Sequence, residues 1–184
     1  MKTLCAFSTA RTSVPACMHK MMISIRPAEE KDRLLIKNIF NLYQNELCVY
    51  SDDFDGLDKD GYFAPETVNE ILPFGDGVFP YIIEEDARPV GFVMAADSAY
   101  APEGFDYSLE ELFLIRNRRK KGIADIAVRE ITKDRPGRWT LEVYTENAPA
   151  LSFWKRYLPE NALSVSSETQ KDSPFTRFNF TIRR

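Results

Sequence analysis

Apolar and polar residues change rhythm several times along the chain, and each change marks an element. Ile23 to Arg26 alternates apolar with polar side chains and predicts a first strand, which Pro27 ends. From about Lys31 onward, Leu35, Ile39, Leu42, Tyr43 and Leu47 recur at helical spacing, predicting a first long helix with these side chains on one face. Pro65 to Leu72 predicts a short second helix, with Pro65 in its first turn and Pro73 stopping it. Val78 to Glu84 and Pro89 to Ala96 are apolar runs parted by the polar stretch EDAR, the pattern of an antiparallel hairpin. Leu109, Leu112, Phe113, Leu114 and Ile115 form a short buried-strand run, and Ile123, Ile126, Ala127 and Ile131 then recur at three- and four-residue steps, as in an amphipathic helix. Pro136 and Gly137 break the chain, and Trp139 to Tyr144 alternates as a fifth strand. Thr145 to Asn147 turns into a helix from about Ala148, with Leu151, Trp154 and Leu158 on one stripe. Leu163 to Glu168 and Phe175 to Ile182 read as two closing strands.

Between the central strand and its helix, Arg116 to Lys121 places five cations in six positions, too costly to bury, so the chain surfaces there. Gly122 follows and lets the backbone approach a ligand or a neighbouring element closely. Strand, basic turn and helix in that order make an anion site: unpaired amides at the helix start, the helix dipole and the cationic side chains act together. A merely solvated basic turn is the plainer alternative. The chain of 184 residues is 44% hydrophobic and 28% charged, the range of one globular domain with a proper core. Its net charge of −4 argues against a general nucleic-acid binder and makes the basic turn a local exception. Cys5, Cys17 and Cys48 show no paired spacing, pointing to a reducing, cytoplasmic compartment without a disulfide framework. No stretch is apolar for long enough to span a bilayer as a helix. With His19 the only histidine, a Ser/His/Asp triad or a multi-histidine metal site is excluded, leaving carboxylates, tyrosines, backbone amides or a cofactor to carry the chemistry.

Residues 1–22 lack Asp and Glu and show no clear period. They fit a transit-like leader or, more simply, an upstream start preceding the true one at Met21 or Met22, and are expected to be poorly ordered. Residues 23–184 are expected to form a single domain. Ser51 to Gly61 is an acidic loop whose resemblance to a calcium loop stops short of the closing glutamate and flanking helices. A solvated loop is the expected role, an acidic lip for a cationic acceptor the sharper one.

Order and motifs together resemble the GNAT superfamily of N-acetyltransferases, and within it a group of bacterial predicted acetyltransferases. The family's pyrophosphate turn is matched by Arg119, Gly122 and Ala124 in RKKGIA, and its second signature by Asn147, Ala150, Phe153 and Trp154 in NAPALSFW. The similarity covers about Ile23 to Arg183. It implies an α/β (α+β) fold: a mixed, twisted, mostly antiparallel sheet of about six to seven strands with about four helices, splayed between the fourth and fifth strands. Acetyl-coenzyme A is the implied co-substrate. Its pyrophosphate would lie on the backbone amides of Arg119, Lys120, Lys121, Gly122, Ile123 and Ala124. Phe113, Leu114 and Ile115 would pair with the pantetheine arm through their main chains, the Leu114 amide facing the thioester oxygen. Asn147, with Ala150, Phe153 and Trp154 of the same motif, would adjoin the cofactor.

The resemblance further implies direct attack of an acceptor amine on the thioester, which requires positioning, proton removal and oxyanion stabilisation. Glu111 is the candidate base and Glu110 the second, since strict strand alternation lets only one face the cleft. The family's usual acid, a tyrosine, is Trp154 here, and an indole N–H is no proton source; Tyr157 or Tyr144 could substitute, or the thiolate leaves without an assigned donor. Packing is the commoner role for either tyrosine. Asp125 puts a negative charge one turn from the proposed phosphates, with Arg129 four residues on to offset it. The expected activity is N-acetylation of a small molecule, peptide or protein by a monomer or homodimer, without metal, nucleic acid or membrane. A non-catalytic acyl-coenzyme A-binding module is the alternative.

Overall fold

The computed structural model describes residues 21–51, 56–63, 77–169, 171 and 173–183. Seven strands form one sheet: β1 (Ile23–Pro27), β2 (Val78–Glu85), β3 (Arg88–Asp97), β4 (Tyr107–Leu114), β5 (Gly137–Tyr144), β6 (Leu163–Thr169) and β7 (Phe175–Ile182), in the order β1-β2-β3-β4-β5-β7-β6. Every neighbouring pair is antiparallel except β4 with β5. Three helices occur among the described residues: α1 (Arg33–Leu47), α2 (Ile123–Thr132) and α3 (Ala148–Asn161). The second helix predicted at Pro65 to Leu72 lies outside the described residues, as do residues 1–20 of the leader.

Alternation along the strands sorts the core into two layers. Ile36, Ile39 and Phe40 of α1 pack on Ile82, Phe92 and Phe113. On the opposite face, Ile123, Ala127, Val128 and Ile131 of α2, with Trp154, Tyr157 and Leu158 of α3, cover Ile83, Val93, Leu109, Leu114, Trp139 and Phe178. The β2–β3 turn is Asp86 and Ala87, both with positive φ (50° and 60°), the backbone of a two-residue hairpin whose twist matches its strands. The predicted α1 face needs one correction: Leu42 is 54% exposed, and Ile36 and Phe40 take the inward positions. Arg26 at the end of β1 grips Asp32 (2.7 and 3.0 Å) and Glu84 (2.9 Å), fixing where α1 begins.

The described part of the acidic loop folds back on α1. The Asp58 carboxylate accepts from the amides of Asp60 and Tyr62 at 2.9 and 2.8 Å, and Asn41 bonds the main chain of Gly61 and Phe63. Asp58 thus closes its own turn, as aspartates in turns commonly do.

Candidate active site

The register of β4 against β3 slips by one residue. Met94 opposes Glu111 and Ala95 opposes Leu109, so Glu110 is an extra residue without a partner. Such a bulge breaks alternation. Tyr107 and Leu109 pack toward α2 and α3, which places Ser108 on the α1 face; Glu110 accepts a hydrogen bond from the Ser108 hydroxyl, so it shares that face. Glu111 is there as well, beside Tyr43 of α1. The expectation that only one of the two glutamates faces the cleft is therefore corrected: the bulge puts both on one side.

Burial, more than this proximity, sets the chemistry of Glu111. Burial pushes its carboxyl up from the ordinary 4.5 to about 7; the Tyr43 hydroxyl, donating toward it, works in the other direction, and the charge of Glu110 adds to the rise. Burial and the neighbouring Glu111 in turn push the Tyr43 hydroxyl well above the ordinary tyrosine value, so it stays a donor. A half-buried carboxyl that ionises near neutrality suits a general base. Tyr43 was absent from the expected site because helical spacing assigned it to the core; it does touch Phe40, Phe92 and Phe113, with ring centroids 5.6 to 5.9 Å away, and only its hydroxyl reaches the base. Tyr144, at the end of β5, influences Tyr43 electrostatically and lies between Tyr50 (5.8 Å, stacked) and Phe175 (4.5 Å).

The strands β4 and β5 pair only at Tyr107 with Trp139 and Ser108 with Thr140, then part. In the antiparallel β3–β4 ladder, main-chain groups alternate between facing the partner and facing away. The Ile115 amide donates to the Val90 carbonyl at 2.9 Å, which makes Leu114, opposite Gly91, the residue turned toward the opening. Among Phe113, Leu114 and Ile115, only Leu114 offers its amide there. Its carbonyl already accepts from Arg119 Nε at 2.8 Å, and the Ile115 carbonyl accepts from the Arg118 amide.

Beyond β4 the chain makes a single 3-10 turn, Arg116–Arg118, and Lys120 (φ 60°) and Gly122 (φ 76°) adopt left-handed backbone before α2 begins. Gly122 caps α2 without a side chain, and a methyl group there would meet nothing within 4 Å. The Arg119 amide donates to the Arg116 carbonyl at 3.3 Å, whereas the six amides from Lys120 to Asp125 have no acceptor among the described residues. Unlike most helix starts, this one leaves its donors without a capping side chain. The arginines of the turn are engaged: Arg116 and Arg119 with Glu46 of α1 (3.1 and 2.7 Å), and Arg118 with Glu85. Lys120 and Lys121 are exposed and form no ion pair among the described residues. The turn therefore fits a diphosphate, with open amides, a helix N-terminus and two uncommitted cations in one place.

From the far side of the opening, Asn147 caps α3 by accepting from the Ala150 amide at 3.2 Å, and its side-chain nitrogen Nδ2 has no partner among the described residues. Ala150 and Phe153 are half-buried behind it. Trp154 is 4% exposed and belongs to the core. So does Tyr157, stacked on Phe153 at 5.5 Å and pushed up to about 12 by burial, with Asp125 adding to the rise and Arg129 and Arg156 opposing it. Asp125 pairs with Arg156 of α3 (2.8 and 3.1 Å), not with Arg129, because both helices cover the same face of the sheet.

The Acetyltransferase (GNAT) family model matches residues 40–158, from α1 through the basic turn to α3. The chain belongs to this family. It is accordingly an acyltransferase, and its family uses acetyl-coenzyme A. No curated protein matches the sequence. Solved structures share the fold at low identity. An acetyltransferase from Thermus thermophilus superposes with a TM-score of 0.67 at 18% identity, covering 90% of this chain and 100% of that one. The PaiA N-acetyltransferase of Thermoplasma acidophilum, in complex with coenzyme A, gives 0.60 at 16%, covering 88% and 99%. The ribosomal-protein-S18-alanine N-acetyltransferase of Escherichia coli gives 0.57 at 12%, covering 88% and 93%. Among the described residues no helix is long and apolar enough to cross a membrane, and no three metal-ligating side chains cluster.

Proposed function

We propose that residues 23–184 act as one cytoplasmic domain that transfers the acetyl group of acetyl-coenzyme A directly to an amine of a small molecule, peptide or protein. One observation carries the reading: β4 joins a carboxyl titrating near 7, at its bulge, to a turn of open amides at its end. The main-chain amides of Lys120 to Ala124, with the Lys120 and Lys121 side chains, would hold the diphosphate, and the side-chain Nδ2 of Asn147 would donate to the arm. The coenzyme supplies the acetyl group as an activated thioester. The Leu114 amide is turned to stabilise negative charge on the acyl oxygen. Glu111 accepts the proton that the acceptor nitrogen loses as it bonds to the acyl carbon, and Tyr43 keeps that carboxylate oriented.

Tyr157 is assigned to packing rather than to proton donation, since its ring lies in the core and burial makes its hydroxyl a much weaker acid than the departing thiol. The sulfur then leaves as thiolate, which is stable enough near neutral pH to need no dedicated donor. Tyr50, Tyr144 and Phe175 form an aromatic cluster, and Tyr144 acts electrostatically on Tyr43, the partner of Glu111, so these rings would suit a cationic amine on the acceptor side. The test is thiol release from acetyl-coenzyme A with a panel of amines, alongside coenzyme binding. Amine-dependent release supports the proposal; binding without release by any amine would leave a non-catalytic binding module.

A further inference from the structure

Four side chains, Glu46, Phe113, Arg116 and Arg119, meet at the join between β4 and the basic turn, and the Arg119 guanidinium touches two of the others. Arg119 Nε donates to the Leu114 carbonyl at 2.8 Å, one terminal nitrogen donates to Glu46 at 2.7 Å, and the planar group lies over the Phe113 ring at 5.5 Å. The other Glu46 oxygen accepts from Arg116 at 3.1 Å. Glu46 is one helical turn beyond Tyr43, so the same edge of α1 reaches both the base and the coenzyme turn.

We propose that Glu46 and the Arg119 side chain are positioning residues: a strut from α1 to the end of β4 that sets the shape of the coenzyme turn without itself touching phosphate. The inference rests on the proposed coenzyme site. Its geometry is specific to a guanidinium, because the fork must serve a carbonyl and a carboxylate at a fixed angle above the Phe113 ring. A lysine keeps the charge and loses the fork. Lys120 and Lys121, which have no ion-pair partner among the described residues, are left to meet the phosphates.

Charge alone and the strut predict opposite results for Glu46. Removing a carboxylate beside an anion site should tighten anion binding by electrostatics. Breaking the strut should weaken it. Binding of coenzyme A, measured by titration calorimetry over a range of salt concentrations, decides between them. E46A and R119K are each expected to raise Kd by about fivefold or more, as misplacement of a binding group does. R119K, which conserves charge, should keep the salt dependence of the wild type, with KM for acetyl-coenzyme A rising and kcat held at saturation. K120A and K121A should instead flatten the salt dependence. Tighter or unchanged binding by E46A, wild-type binding by R119K, or a flattened salt dependence in R119K would each overturn the proposal. Thermal melting confirms that the variants fold; should E46A not fold, E46D, one methylene too short to reach both arginines, is read in its place. Wild-type protein that does not bind coenzyme A would refute the proposed function itself, a separate outcome.

Discussion

Replacing Glu111 by Gln should disable the enzyme while making the protein more stable above neutral pH. The folded protein holds this carboxyl protonated up to about pH 7, against an ordinary 4.5. Between these values the native state binds more protons than the unfolded state, so stability falls as pH rises through the window, and the loss is complete above it. A displacement of this size corresponds to about 3 kcal/mol; the carboxyl is not fully enclosed, which reduces the effect to about 2 kcal/mol. Gln has the same shape, can still accept from Tyr43 and carries no charge. E111Q should therefore match the wild type in urea unfolding at pH 4.5 and exceed it by about 2 kcal/mol at pH 8.5, a rise in Tm of about 4 to 8 °C for a chain of this size. Amine acetylation should fall by about 10²- to 10⁴-fold, and the acidic limb of the kcat/KM profile near pH 7 should disappear. A stability difference independent of pH, or a less stable variant at pH 8.5, would refute the claim that the bulge holds this carboxyl in a desolvated position.

The Tyr43 hydroxyl lowers the pKa of Glu111, so Y43F should move the acidic limb of kcat/KM to higher pH; an unmoved limb would disconnect the two residues. Gly91 lets β3 approach β4, since a Cβ there would overlap the Phe113 carbonyl oxygen, and G91A should cost about 3 kcal/mol in urea unfolding with loss of coenzyme binding. Arg26 beside Asp32 holds its carboxyl down at about 2, so the stabilisation it provides is present above the ordinary 3.8 and lost as pH falls through 2. D32N should accordingly be less stable than the wild type by about 1 to 2 kcal/mol at neutral pH and closest to it in strong acid, as followed by circular dichroism.

Much of this arrangement can be read from side-chain rhythm, because burial imposes it. The strand Phe175–Ile182, with alternating Phe178, Phe180 and Ile182, has the predicted bounds. The helix after Gly122 buries Ile123, Ala127 and Ile131 as its spacing requires. The basic turn surfaces because its charges forbid burial. What rhythm cannot show is a shift of a single residue in pairing. YSLEELFL looks the same with or without a bulge at Glu110, yet the bulge decides that both glutamates share a face. Rhythm also assigns each residue one environment. Tyr43 has two, an aromatic body in the core and a hydroxyl on the base, and Leu42 drops out of the core because Ile36, Ile39 and Phe40 already fill it. Long-range ion pairs such as Asp125 with Arg156 and Glu46 with Arg119 depend on which helices pack together, and sequence proximity favours nearer partners that the fold does not use.

The open amides from Lys120 to Asp125 are the feature on which the functional account depends. Their resonances in a two-dimensional amide NMR titration with coenzyme A give the most direct test. Lys120, Lys121, Gly122, Ile123 and Ala124 should show the largest shifts, move together with a single Kd and gain protection from hydrogen exchange. Coenzyme binding that leaves these amides unshifted, or no binding at millimolar coenzyme, would contradict the account.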